Sequence, residues 1–163
     1  MLVEERRSAP AIWPALEFAP PWRKPPVQLI DVATLPDLYA MQCIGRCMEP
    51  EVAHGSTLVF DKFAPCRPGD IVVVIRSAEA TRWPDDSVPG LVKRLIHPLP
   101  VRWDPDSEIL PMLTVEMLNP RRRLHINATS VAAVHRCLGP AVRQPDGSMG
   151  VSRAVINAAR GVS

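Results

Sequence analysis

Apolar residues in this chain fall into short runs broken by Gly, Pro, Asp and Asn, and that spacing predicts strands rather than long helices. Val27-Gln28-Leu29-Ile30 and Leu38 to Ile44 read as the first two strands, and Thr57-Leu58-Val59-Phe60-Asp61 as the third. The turn Cys66-Arg67-Pro68-Gly69-Asp70 feeds Ile71-Val72-Val73-Val74-Ile75, a continuous β-branched run of the kind a sheet buries on both faces. Ser77 to Pro89 is polar, contains Pro84 and Pro89, and reads as a long hairpin loop, with Leu91 to His97 as the return strand. Ile109 to Leu118, His125 to Asn127 and Val131 to Val142 complete the β pattern, and Asp104-Pro105-Asp106 and Asn119-Pro120 mark turns between them. Only Val151 to Arg160 has helical spacing, with Val151, Ala154, Val155 and Ala158 on one face. No repeat is present, and no two adjacent helices precede Cys47, so a helix-turn-helix is not expected.

Composition sharpens this picture. Proline makes up 19 of the 163 residues, about twice the usual share, which disfavours a helical bundle. Residues 1–26 gather Pro10, Pro14, Pro20, Pro21, Pro25 and Pro26 around Trp13, Phe18 and Trp22 and read as an extended N-terminal arm. Residues 27–145 form the expected β domain, and residues 146–163 a C-terminal tail with a short helix. A net charge of +2 is too weak to argue for nucleic acid. No apolar run is long enough to span a bilayer, and the first residues lack the apolar core of a secretion signal. A cytoplasmic protein with reduced thiols is the expectation. Cys43, Cys47, Cys66 and Cys137, taken with His54, His97, His125 and His135, show no metal-ligand spacing, so neither metal nor cofactor is expected.

Two segments carry candidate chemistry. In Cys43-Ile44-Gly45-Arg46-Cys47-Met48-Glu49-Pro50 an apolar strand ends, Gly45 gives a sharp turn, and a thiol follows two residues later. Gly45 lets a substrate backbone approach, and backbone N–H groups at a turn around Met48 can hold the negative charge of a tetrahedral intermediate. Read by itself, Cys47 is more readily a small core residue than a nucleophile. In Gly90-Leu91-Val92-Lys93-Arg94-Leu95, alternation puts Lys93 on the same face as Leu91 and Leu95. Burial disfavours the charged form of a lysine, and a neutral lysine can serve as a general base; a lysine snorkelling at a strand edge is the bland alternative. Arg121-Arg122-Arg123 reads as a solvated basic loop, and Trp83 as a loop residue covering the sheet or forming an exposed contact.

Together these segments resemble the LexA/UmuD-type self-cleaving peptidases. Gly45-Arg46-Cys47-Met48-Glu49-Pro50 is similar to the family's Gly-x-Ser-Met-x-Pro nucleophile motif, and Leu91-Val92-Lys93-Arg94-Leu95 to its base segment. His54 to Asp61, Pro68 to Val74 and Leu118-Asn119-Pro120 resemble the strands and late turn that accompany them, so the resemblance covers about residues 38–142. It implies a mainly β fold of the LexA/signal peptidase type, with curved, packed sheets and few helices. It also implies Cys47 as nucleophile, Lys93 as general base, and Gly45 and Met48 in the substrate and oxyanion environment. The implied protein is a homodimer without a DNA-binding domain, cleaving a peptide bond in its own arm or in a partner bound through the arm, as in the SOS response. Direct DNA binding is not expected, and the missing anchor argues against the membrane signal peptidases of the same superfamily.

The chain departs from the family pattern at three places. Cysteine replaces the nucleophilic serine. Ser56 stands where aspartate is usual. Gly45 is the first glycine of the chain, so no upstream Ala-Gly or Cys-Gly bond exists to be cut. The alternative reading is therefore a catalytically silent dimerisation or interaction module of the same fold, regulatory in a stress or phage-related response.

Overall fold

The computed structural model describes residues 27–80, 82–99 and 111–162. The N-terminal arm, the Asp104-Pro105-Asp106 turn and Trp103 lie outside the described residues. Among those described, seven strands form one antiparallel sheet: β1 (Leu38–Gln42), β2 (Thr57–Asp61), β3 (Ile71–Arg76), β4 (Gly90–Leu95), β5 (Met112–Leu118), β6 (Arg121–Asn127) and β7 (Val131–Pro140). Their order across the sheet is β1-β2-β7-β3-β4-β5-β6. A hairpin of β8 (Val142–Arg143) and β9 (Met149–Gly150) and one helix, α1 (Arg153–Arg160), follow. The protein is mainly β with few helices, as the period-two pattern predicts.

The β-branched run takes a central place. β3 lies between β7 and β4, and Val72, Val73, Val74 and Ile75 are all essentially buried. Alternate residues of β3 feed two cores. Val73 and Ile75 join Tyr39, Leu58 and Phe60 on one side, and Val72 and Val74 join Leu91, Leu95, Val115 and Ile126 on the other. Trp83, from the loop after β3, is buried in the second core, so it covers the sheet. β7 is bulged where it meets β2, between Val59 and Phe60, and Gly139 supplies the positive φ of 123° near that irregularity.

Three local expectations need correction. Val27–Ile30 is not a strand; it leads into a 3₁₀ turn at Val32–Thr34. Asp31 accepts from the Ala33 N–H, and Lys62 donates to the carbonyls of Val32 and Leu35. The turn is thus held by its own cap and by Lys62, and Ile30 packs on the first core without joining the sheet. Arg121–Arg123 is not a loop but the start of the edge strand β6. In α1 the expected apolar face is outside: Ala154, Val155 and Ala158 are exposed, while Ala159 is buried. Arg160 turns inward to the fully buried Asp61 of β2, with N–O distances of 2.7 and 3.0 Å, and Arg136 of β7 reaches the Ala159 carbonyl. These polar contacts orient the helix against its own hydrophobic stripe.

Candidate active site

The segment after β1 is held in place by backbone bonds. The Cys43 N–H donates to Ser56 O, and the Gly55 N–H to Cys43 O, both at 2.7 Å. The chain then turns at Gly45 (φ 107°), whose N–H donates to His54 Nδ1 at 2.8 Å. Met48 O accepts from the Val52 N–H, closing a single turn instead of a helix. The side chains of Met48 and Val52 are buried in the first core and anchor this turn, with half-buried Cys47 packed against them. Ser56 supports the turn by donating its hydroxyl to Ala53 O, which an ionised aspartate cannot do.

A second anchor comes from β5. β4 and β5 pair only at Arg94↔Glu116 and Leu95↔Val115. Beyond that point the N–H groups of Leu118 and Asn119 both donate to the Cys47 carbonyl, at 2.7 and 2.9 Å. The strand pair opens where Lys93 sits, and the Cys47 segment fills the gap. Arg94 adds an ion pair to Glu51 from the same strand.

β4 alternates as expected: Leu91, Lys93 and Leu95 are buried, and Val92 and Arg94 are less so. Lys93 is only 5% exposed. Its Nζ lies 3.1 Å from Cys47 Sγ and 3.0 Å from Val92 O. No carboxylate pairs with it among the described residues. The thiol and amine can exchange one proton, and the pair is net neutral with the proton on either atom.

Of the remaining expected site residues, Gly45 commits its N–H to His54, so it has no free backbone donor, and Met48 gives its side chain to the core. The backbone N–H groups of Cys47 and Met48 make no hydrogen bond to other described residues, so these are the donors left near the sulfur. His54 carries no signal in the sequence for this positioning role. The other three thiols are held protonated. Burial pushes Cys66 up to about 11, with Asp70 adding to it. Burial also raises Cys43, with Cys47 adding and Lys93 opposing, and it raises Cys137.

Cys47 and Lys93 open onto a cleft of about 780 Å³. Its walls include Leu91, Met112 and Met117, the loop residues Arg82 and Trp83, and the edge strand β6 from Arg122 to Asn127. Arg122 and Arg123 thus belong to the site, a placement hidden by their reading as a loop. Among the described residues, no three His, Cys, Asp or Glu side chains are grouped as a metal ion would need, and no helix is long and apolar enough to cross a membrane. No family model, curated protein or solved structure matches the chain.

Proposed function

We propose that this protein is a peptidase of the LexA/UmuD type in which Cys47 and Lys93 form the catalytic dyad. The observation that carries this reading is the buried Lys93 amine, 3.1 Å from the Cys47 sulfur at the head of a cleft. Cys47 Sγ attacks the scissile carbonyl carbon as its proton passes to Nζ, and the carbonyl electron pair moves onto oxygen. The N–H groups of Cys47 and Met48, which make no hydrogen bond to other described residues, donate to that oxygen. Collapse of the intermediate breaks the C–N bond, and the Lys93 ammonium protonates the leaving amine. Water then attacks the thioester, Nζ takes its proton, and the proton returns to sulfur as the acid leaves. The bond cut lies in the protein's own arm or in a partner protein.

The absence of a glycine before Gly45 favours a second reading, a silent interaction module of the same type. One experiment separates the two. Wild type, Cys47→Ser, Cys47→Ala and Lys93→Ala are incubated at neutral and alkaline pH, alone and with candidate protein substrates, and intact masses are read. The peptidase reading expects fragments with wild type and a loss of about 100-fold or more in rate for Lys93→Ala, the range of general-base removal. Cleavage by Cys47→Ser alone would show a competent fold silenced by sulfur. Cleavage that persisted in Cys47→Ala would remove the dyad from the reaction.

A further inference from the structure

The cleft beside the dyad is basic in a way the chain as a whole is not. Arg82, Arg122 and Arg123 line it, all exposed, and none enters an ion pair with a described residue. Their neighbour Arg121, by contrast, is neutralised by Glu116 at 3.1 Å. Asp85 is the one carboxylate among the described lining residues, and it already accepts from the Ser87 N–H and hydroxyl.

The register fixes where these cations stand. Arg122 pairs with Met117, on the strand next to β4. The Cys47 segment is bonded to β5 at Leu118 and Asn119, so the strand of Arg122 is two strand spacings, roughly 10 Å, from the segment that carries the sulfur. An extended peptide covers this span in roughly three residues at 3.3 Å each. Met112 and Met117 supply adaptable apolar wall between the two points.

We propose that this cleft selects an extended acidic segment of a partner protein, with Arg122 and Arg82 receiving its carboxylates about three residues from the bond presented to Cys47. The inference rests on the peptidase reading. Arginine forks match carboxylates in two-point contacts, and at a groove rim they give selectivity more than raw affinity. The protein's own arm fits the cleft poorly by charge: residues 1–26 carry Glu4, Glu5 and Glu17 against Arg6, Arg7, Arg23 and Lys24. Single-stranded nucleic acid fits less well than peptide, because base stacking needs an exposed aromatic. Trp83, the one Phe, Tyr or Trp among the described lining residues, is 8% exposed and belongs to the core, which leaves only the smaller His125 ring exposed in the cleft. The outer edge of β6 pairs with no strand among the described residues, so it offers a peptide main-chain partners as well.

The test is binding by fluorescence anisotropy to full-length protein carrying Cys47→Ala, which removes turnover. The probes are three rhodamine-labelled peptides with one central leucine flanked by alternating threonine and glutamate, glutamine or lysine. The glutamate peptide is expected to bind at least about tenfold tighter than the glutamine peptide, a difference of about 1.4 kcal/mol. The preference should vanish in Arg82→Gln/Arg122→Gln and weaken with salt. Equal affinity for the glutamate and glutamine peptides, including no binding of either, overturns the proposal. So does an unchanged preference in the double variant at unchanged Tm, or displacement of the peptide by oligothymidylate at lower concentration than by unlabelled glutamate peptide. Cleavage of the same peptides by wild type separates this inference from the one beneath it. A glutamate peptide that is bound selectively but never cut leaves the acidic preference standing and counts against the peptidase. Glutamate and glutamine peptides cut equally well do the reverse.

Discussion

Burial of Lys93 leaves its amine two hydrogen-bond partners in the protein, the Cys47 sulfur and the Val92 carbonyl, and of these only the sulfur can exchange a proton with it. The other thiols have no such neighbour. Cys66 is pushed up to about 11, and Cys43 and Cys137 are also raised, all chiefly by burial. Iodoacetamide at neutral pH is therefore expected to add one carbamidomethyl group, at Cys47, before the remaining three react, and Lys93→Ala should slow that addition. Peptide mapping that found Cys43, Cys66 or Cys137 modified as fast as Cys47 would contradict this assignment. At this scale the sequence was informative where one rule decided the outcome. Strand alternation alone puts Lys93 on the face of Leu91 and Leu95. It failed for Arg122 and Arg123, because three charges after an Asn-Pro turn carry no periodicity to separate a loop from a solvent-facing edge strand.

Elements show a different limit. The hydrophobic stripe of α1 locates the helix correctly but not its orientation, because a buried carboxylate decides that. Burial alone would raise the Asp61 carboxyl, but the Arg160 guanidinium and the N–H groups of Phe63 and Ala64 outweigh it and hold the group below the usual carboxylate value. A depressed folded value means that the stabilisation is complete above the unfolded value, about 3.9. As pH falls below that point the unfolded chain takes up a proton that the folded chain refuses, and the stabilisation is lost down to the folded value. Asp61→Asn should accordingly lower Tm by several degrees near neutral pH, and the gap to wild type should close as pH falls below about 4. A gap that widened in acid would reverse the sign of this linkage. Arg160→Ala should free α1 at neutral pH, seen as faster amide exchange across Arg153–Arg160. Similarly, Val27–Ile30 has strand composition but joins no strand, and the Asp31 cap and Lys62 contacts that fix the turn after it are long-range or specific to the turn.

For the whole molecule, β3 is the shared wall. Val73 and Ile75 serve one core, Val72 and Val74 the other, so damage to either side reaches the same strand. Phe60→Ala in the first core is expected to cost about 3–5 kcal/mol, and Leu95→Ala in the second about 2–5 kcal/mol. Both should lower one common urea transition and not split it. Two resolved transitions in either variant would show the cores to be independent. The mainly β class and most strand positions were legible because short β-branched runs and Pro/Gly turns repeat along the chain. The strand order was not, since β7 enters between β2 and β3 from far along the sequence.

The hydrogen bonds from Leu118 and Asn119 to the Cys47 carbonyl have a consequence in time as well as in space. A ribosome that has made Cys47 and Lys93 has already supplied both the thiol and the amine, yet the residues that clamp the sulfur's own peptide unit emerge 71 and 72 positions after Cys47. Until β5 and β7 are in place, the thiol and amine belong to separate hairpins. Selective thiol reactivity in a nascent chain is therefore expected to appear only as the sheet is completed.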